Sequence, residues 1–169
     1  MQRSIKKVAV LGSGVMGSRI ACHFAGIGVE VLLLDMLAPG SNESTKAKER
    51  NQLVDSSLQA AIKSNPSPLY LQKFTQNIST GNFTDDIAKI SNADWIIEVV
   101  VERLDIKKII YDEVEKYRKP GTLVSSNTSG IPIHLMAEGR SDDFQKHFCG
   151  THFFNPPRYL RLLEIIPTT

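Results

Sequence analysis

Apolar positions along the chain alternate between short continuous runs and stretches at helical spacing. The first run, KKVAVLG, is short, rich in β-branched residues and closed by glycine, which predicts a buried strand. Between Val15 and Ile27 the apolar residues Ile20, Phe24 and Ile27 recur at helical spacing, and GIG ends the segment before a second run, VEVLLLD. One βαβ unit is therefore expected within about thirty residues. After Asp35, the polar stretch MLAPGSNEST leads into a helix with Val54, Leu58 and Ile62 on one face, broken at KSNPSPLY. A short strand near 77–80 and a helical turn near 85–90 precede ADWIIEVVV, the most apolar strand candidate. From Arg103 to Arg118 the pattern is helical again, with Ile106, Ile110, Val114 and Tyr117 facing one way, until KPG stops it. TLVSSN and FCGTHFF read as two further strands around a helix at 132–138, and LRLLEII as a last one. The alternation predicts an α/β fold, a doubly wound and mostly parallel sheet flanked by helices, over residues 1–169 as one domain.

Composition narrows the function classes more than the fold. With 41% hydrophobic and 22% charged residues, the chain suits a soluble globular domain with a core of its own. Its 20 basic and 18 acidic residues leave a net charge of +2 and no basic stripe, so neither nucleic acid nor a membrane surface is expected as a partner. No apolar run is long enough to span a bilayer. Cys22 and Cys149 lie in apolar segments and read as buried thiols of a reducing compartment. No C-x-x-C or H-x-x-x-H spacing suggests a metal site. The opening MQRSIKKVAVLGSG is too short for a signal-peptide core, which makes the cytoplasm the expected location.

Candidate chemistry starts at GSGVMG, residues 12–17, a G-x-G-x-x-G motif placed between a predicted strand and a predicted helix. Gly12 would allow the tight turn, Gly14 the close approach of a pyrophosphate, and Gly17 the packing of the helix, whose first N–H groups face the anion. Asp35 ends the second strand eighteen residues after Gly17. A carboxylate there accepts hydrogen bonds from an adenosine ribose and repels a 2′-phosphate, so NAD is expected over NADP.

The later segments EVVVERLDIKK, SSNTSGIPI and GTHFFNPPRYLRLLEII, taken with GSGVMG, resemble the NAD-binding domain of the L-3-hydroxyacyl-CoA dehydrogenases of fatty-acid β-oxidation. The resemblance runs over essentially the whole chain, and its most specific part is the H-F-F-N-P run with Glu164 twelve residues after His152. It implies an oxidoreductase that passes a hydride from C3 of an L-3-hydroxyacyl-CoA to NAD. In it, His152 would be the general base, Glu164 would orient the ring and stabilise the imidazolium, and Ser129 would bind the substrate oxygen and touch the nicotinamide region. The chemistry is consistent, since an imidazole near neutral pH can take a proton and return it, and a buried carboxylate would fix its tautomer. The resemblance further implies that Glu102, Lys107 and Asn155 contact the cofactor, with Val100 and Val101 lining that wall. Val15, Met16 and Met36 would pack around the pyrophosphate and adenine. Lys107 can also be read as the exposed face of its helix, and Asn155 as a turn former ahead of two prolines. His23, His134 and His147 read as surface or packing residues.

Two departures stand out. Arg19 occupies a position early in the first helix where the family commonly has a small residue, and the coenzyme A region aligns poorly, Ser57 and Lys63 being the nearest matches. A second, helical domain follows in the family, closing over the acyl-CoA and forming the dimer interface. The chain is accordingly expected to be the N-terminal part of a longer homodimeric or multifunctional protein, and to turn over little by itself. Two other readings are an NAD-sensing module, which would have no use for the His–Glu pair, and a dehydrogenase of free 3-hydroxy acids.

Overall fold

The structure is a computed structural model and describes residues 4–168. Seven strands form one sheet in the order β3-β2-β1-β4-β5-β6-β7. They are β1 (Lys7–Leu11), β2 (Glu30–Asp35), β3 (Ile78–Asn82), β4 (Trp95–Glu98), β5 (Leu123–Ser126), β6 (Phe148–Phe153) and β7 (Leu163–Pro167). The first six run parallel, and β7 alone is antiparallel, paired with β6 along the edge. The chain winds outward from β1 in both directions, so the crevice between β1 and β4 is the switch point at which open α/β sheets bind ligands.

Alternation along β1 shows why the core splits in two. Val8 and Val10 face one side, where α1 (Val15–Gly26) and α3 (Gln52–Ile62) cover them with Ile20, Phe24, Val54, Leu58 and Ile62. Ala9 and Leu11 face the other, beneath α4 (Leu104–Tyr117), α5 (Ile133–Ala137) and α6 (Asp142–Lys146), which contribute Tyr111, Val114, Met136 and Phe144. A one-turn helix, α2 (Ala47–Arg50), precedes α3. The faces of α1 and α3 agree with the apolar spacing that predicts them.

On α4 the spacing misleads. The fully buried positions are Lys107, Tyr111 and Val114, while Ile106 and Ile110 are only half-buried and line a surface cavity. Lys107 is thus neither on an exposed face nor at the surface at all, because its ammonium is 0% exposed against an equally buried Glu98. The run after Glu98 also departs from expectation. β4 stops there, and although the Val99 N–H still reaches the Leu11 carbonyl at 2.8 Å, residues 99–101 are not part of a strand and Val101 is 62% exposed. Helix α6 has no counterpart in the apolar pattern. Ser141 caps it by accepting the Phe144 N–H at 3.3 Å, with Asp142 and Asp143 in its first turn.

The loop between β6 and β7 is tied down by Arg158. Its guanidinium donates to the carbonyls of Ser67 and Leu69 at 2.8 Å each and lies 4.0 Å from the ring centre of Tyr70.

Candidate active site and cofactor cleft

The carboxyl ends of β1, β2, β4, β5 and β6 converge on two adjoining cavities. One, of about 460 Å³, is lined by Gly12, Gly14, Val15, Met16, Asp35, Met36, Val100 and Val101, joined by Phe83, Val99, Ile106 and Ile110. The other, of about 310 Å³, is lined by Asn127, Ser129, His152, Phe153, Phe154 and Asn155. Met16, Val99 and Val100 border both, so together they make a continuous cleft with room for the two halves of a dinucleotide. A larger cavity, of about 670 Å³, opens among Lys7, Glu30, Gln76 and Lys89 at the opposite end of the strands, away from all of these groups.

The glycine loop fits a pyrophosphate for three separable reasons. Gly12 has φ +107°, and a Cβ there would lie 2.7 Å from the Val99 carbonyl oxygen, so both its turn and its closeness to β4 demand glycine. At Gly17 a Cβ would come within 1.8 Å of the Gly12 carbonyl oxygen. What Gly17 admits is therefore the loop's own backbone more than the strand. Gly14 has no heavy atom within 4 Å of its would-be Cβ, leaving open space beside the start of α1, which no side chain caps. A Gly17→Ala variant is accordingly expected to lose NAD binding by calorimetry, whereas Gly14→Ala should keep its fold by circular dichroism and bind weakly.

Asp35 is held in place. Its Oδ2 accepts the N–H and the hydroxyl of Ser13 at 2.6 and 2.5 Å, and its Oδ1 accepts the Met36 N–H at 2.7 Å. Ser13, a variable position of the glycine motif, was legible only as a spacer, yet it is 1% exposed and fastens the strand-ending acid to the loop.

His152 and Glu164 face each other directly across the β6–β7 ladder, which accounts for their twelve-residue spacing. Their Nδ1 and Oε2 are 2.7 Å apart. An ionised carboxylate can only accept, so Nδ1 is the donor, which in the neutral ring leaves the lone pair on Nε2. Glu164 is not buried as its expected role would have it. Its side chain is 51% exposed on an edge strand whose residues all face solvent. The His152 ring also packs on Phe154, centroids 4.5 Å apart.

The family model for the 3-hydroxyacyl-CoA dehydrogenase NAD binding domain matches residues 7–169. The chain belongs to this family. It is 53% identical to a probable 3-hydroxyacyl-CoA dehydrogenase of Bacillus subtilis over 99% of its length, and 46% identical to another of Deinococcus radiodurans over 97%. It spans 22% and 46% of those two proteins. Among solved structures, 3-hydroxybutyryl-CoA dehydrogenase of Escherichia coli superimposes with a TM-score of 0.70 at 28% identity, covering 96% of this chain and 32% of that one.

Other residues of this NAD-binding domain take places that the sequence does not announce. Glu98 accepts hydrogen bonds from Lys107 at 2.7 and 2.9 Å, Tyr111 at 2.8 Å, Ser126 at 2.6 Å and the Val100 N–H at 2.7 Å. Burial, and then the neighbouring Glu98 charge, push the Tyr111 phenol well above its usual range, which keeps it a donor. Lys107 borders neither cavity, its nitrogen being committed to Glu98 and, at 3.3 Å, to Glu102. Asn127 uses its Oδ1 to hold the Phe153 N–H at 2.9 Å beside His152. Asn155 receives a 2.7 Å hydrogen bond from Arg19, so the long side chain on α1 reaches the rim of the His152 cavity. Ser57 lines a further cavity of about 370 Å³ with Ser13, Ser18 and Arg19, while Lys63 stands exposed outside it at the end of α3.

The remaining histidines and cysteines lie outside the cleft. His23 packs edge-on against Phe24 and Phe153, and burial holds its imidazole below the usual range. His134 is exposed, and the His147 Nδ1 meets the Asp143 carbonyl at 2.7 Å. Cys22 is buried, which pushes its thiol up to about 12, and Cys149 is half-buried and raised for the same reason. Among the described residues, no helix is long and apolar enough to cross a membrane.

Proposed function

We propose that the full-length protein oxidises L-3-hydroxyacyl-CoA to 3-ketoacyl-CoA in fatty-acid β-oxidation, with this chain supplying the NAD cleft and the proton-transfer pair. The observation that carries the reading is His152, locked to Glu164 through Nδ1, on the cavity that also contains Ser129 and continues into the glycine-loop cleft. NAD, when bound, supplies the hydride acceptor. The chain's residues do the rest. Residues 12–17 hold the pyrophosphate, Asp35 the adenosine ribose, and Val100 and Val101 the wall between them and the nicotinamide side. His152 Nε2 takes the proton of the 3-hydroxyl as the C3–H bond breaks, Glu164 stabilises the imidazolium that forms, and Ser129 binds the substrate oxygen. NADH formation from 3-hydroxybutyryl-CoA by the full-length protein tests the reading, and equal turnover of free 3-hydroxybutyrate would defeat it.

A second domain covering the sheet edge belongs to the same proposal, as does a homodimeric or multifunctional parent. Tyr159, Leu160, Leu162, Ile165 and Ile166 are exposed large apolar side chains along β7 and the loop before it, the kind of surface a partner domain covers. A cytoplasmic location is supported by two free thiols.

Asp35 makes the cofactor preference measurable. In calorimetric titration NAD should bind at least tenfold more tightly than NADP, a difference of about 1.4 kcal/mol or more, and Asp35→Ala should shrink the gap. Equal affinities in the parent protein would remove Asp35 as the discriminator.

A further inference from the structure

The acid that ends β2 is aimed by the residue between the first two glycines of the loop. Asp35 Oδ2 accepts both donors that Ser13 offers, the N–H at 2.6 Å and the hydroxyl at 2.5 Å. The Met36 N–H holds Oδ1 at 2.7 Å, so rotation of the carboxylate is stopped from both oxygens. A carboxylate has about four acceptor sites. Ser13 fills those of Oδ2, and the open one lies on Oδ1. Asp35 borders the cavity of about 460 Å³, and Ser13 does not.

Ser13 is itself held. It is 1% exposed, and its carbonyl accepts the hydroxyl of Ser18, equally buried in the first turn of α1, at 2.6 Å. On the residue before it, the Gly12 N–H donates to the Leu34 carbonyl at 2.7 Å. The loop is thus stitched to the end of β2 at two successive residues. Of these contacts, the one between the Ser13 hydroxyl and Asp35 requires a hydroxyl at residue 13, since the N–H comes with almost any residue. A serine there therefore adds a restraint on the acid more than on the loop. Repulsion of a 2′-phosphate depends on such a restraint, because an aspartate free to rotate turns away from the phosphate and the discrimination is lost.

We propose that Ser13 is a specificity-determining residue of the cofactor site, clamping Asp35 so that its carboxylate meets a ribose hydroxyl and opposes a 2′-phosphate. The inference rests on the reading of Asp35 as the ribose ligand. A clamp differs from a plain support of the loop in what its loss does. Loosening the loop weakens NAD and NADP by the same factor, because both present the same pyrophosphate; releasing Asp35 weakens NAD alone.

The test uses the full-length protein with Ser13→Ala, Ser13→Gly, Ser18→Ala, Asp35→Ala and the Ser13→Ala/Asp35→Ala pair. Calorimetry gives the affinities for NAD and NADP, and urea midpoints confirm the fold. Ser13→Ala keeps the N–H contact and is expected to weaken NAD about three- to tenfold, the range for one hydrogen bond, with NADP held within about twofold. Ser13→Gly removes the same hydroxyl and should narrow the NAD/NADP ratio as far. Ser18→Ala loosens the loop without touching Asp35, so it should weaken both dinucleotides alike and leave the ratio where it was. On the Asp35→Ala background, Ser13→Ala should change the ratio by less than about twofold, because the group it clamps is gone. The proposal is overturned if Ser13→Ala and Ser13→Gly keep the parent ratio, if they tighten NAD, or if Ser13→Ala narrows the ratio equally without Asp35. Asp35→Ala separates this outcome from failure of the reading beneath it. If Asp35→Ala narrows the ratio and the Ser13 variants do not, Asp35 stands as the ribose ligand and the clamp alone falls. If Asp35→Ala leaves the ratio intact, the ribose reading is wrong and the clamp falls with it.

Discussion

Lys107→Met is expected to lower the stability of the protein by about 3–5 kcal/mol, read as a fall in the urea midpoint at unchanged slope. Methionine preserves most of the side-chain stem and its contacts, so the loss isolates the ammonium. Removing it leaves Glu98, 0% exposed, with three neutral donors from Tyr111, Ser126 and Val100 and no cation in the core beside it. Changing both members should be milder than changing the lysine alone. In Glu98→Gln/Lys107→Met the side-chain oxygen still accepts from some of the three donors and no charge is stranded, so the double variant should recover about half of the single loss. A midpoint shift worth less than about 1 kcal/mol for Lys107→Met would mean that water reaches Glu98.

That lysine also marks where the sequence stopped being legible. Helical periodicity counts apolar positions, and Ile106, Ile110, Val114 and Tyr117 satisfy it well, so a lysine between them reads as solvent-facing. The missing signal lay on another element. WIIEVVV places an acid inside an otherwise buried parallel strand, where a lone carboxylate is prohibitively costly and must have a cation. Nothing in one sequence says that the partner sits nine residues later on α4 and not elsewhere. The same limit hid Ser13 and Asn127, whose hydrogen bonds to Asp35 and Phe153 depend on how strands align.

By contrast, the βαβ unit, the glycine motif and the faces of α1 and α3 were legible because each rests on local spacing, which backbone geometry alone converts into structure. The helix at Asp142–Lys146 carried its signal in Ser141, Asp142 and Asp143, a capping pattern that apolar periodicity does not detect. The twelve-residue interval from His152 to Glu164 sits between these cases. Its residue types pointed to chemistry, while its meaning as a cross-strand pair required β7 to turn antiparallel against β6.

His152→Ala in the full-length protein is expected to reduce kcat about 10²- to 10⁴-fold, the range for loss of a general base. NAD affinity should stay within about threefold, because Gly12, Gly14 and Asp35 line the other cavity. Glu164→Gln should cost less than His152→Ala. The amide oxygen can still accept from Nδ1 and hold the tautomer, so what disappears is the negative charge that stabilises the imidazolium. Glu164→Ala removes orientation as well and should fall between the two, and added to His152→Ala it should cost almost nothing further. The size of the Glu164 effect reports on more than the pair. In this chain the carboxylate is 51% exposed, and a half-solvated ion pair is weak. If the apolar surface of β7 is covered in the whole protein, the dielectric around the pair drops and the same 2.7 Å contact is worth considerably more. A Glu164→Gln loss that is steep in the full-length protein therefore requires a covered edge, and a loss of no more than about threefold would place Glu164 in water during the reaction and leave orientation as its whole contribution.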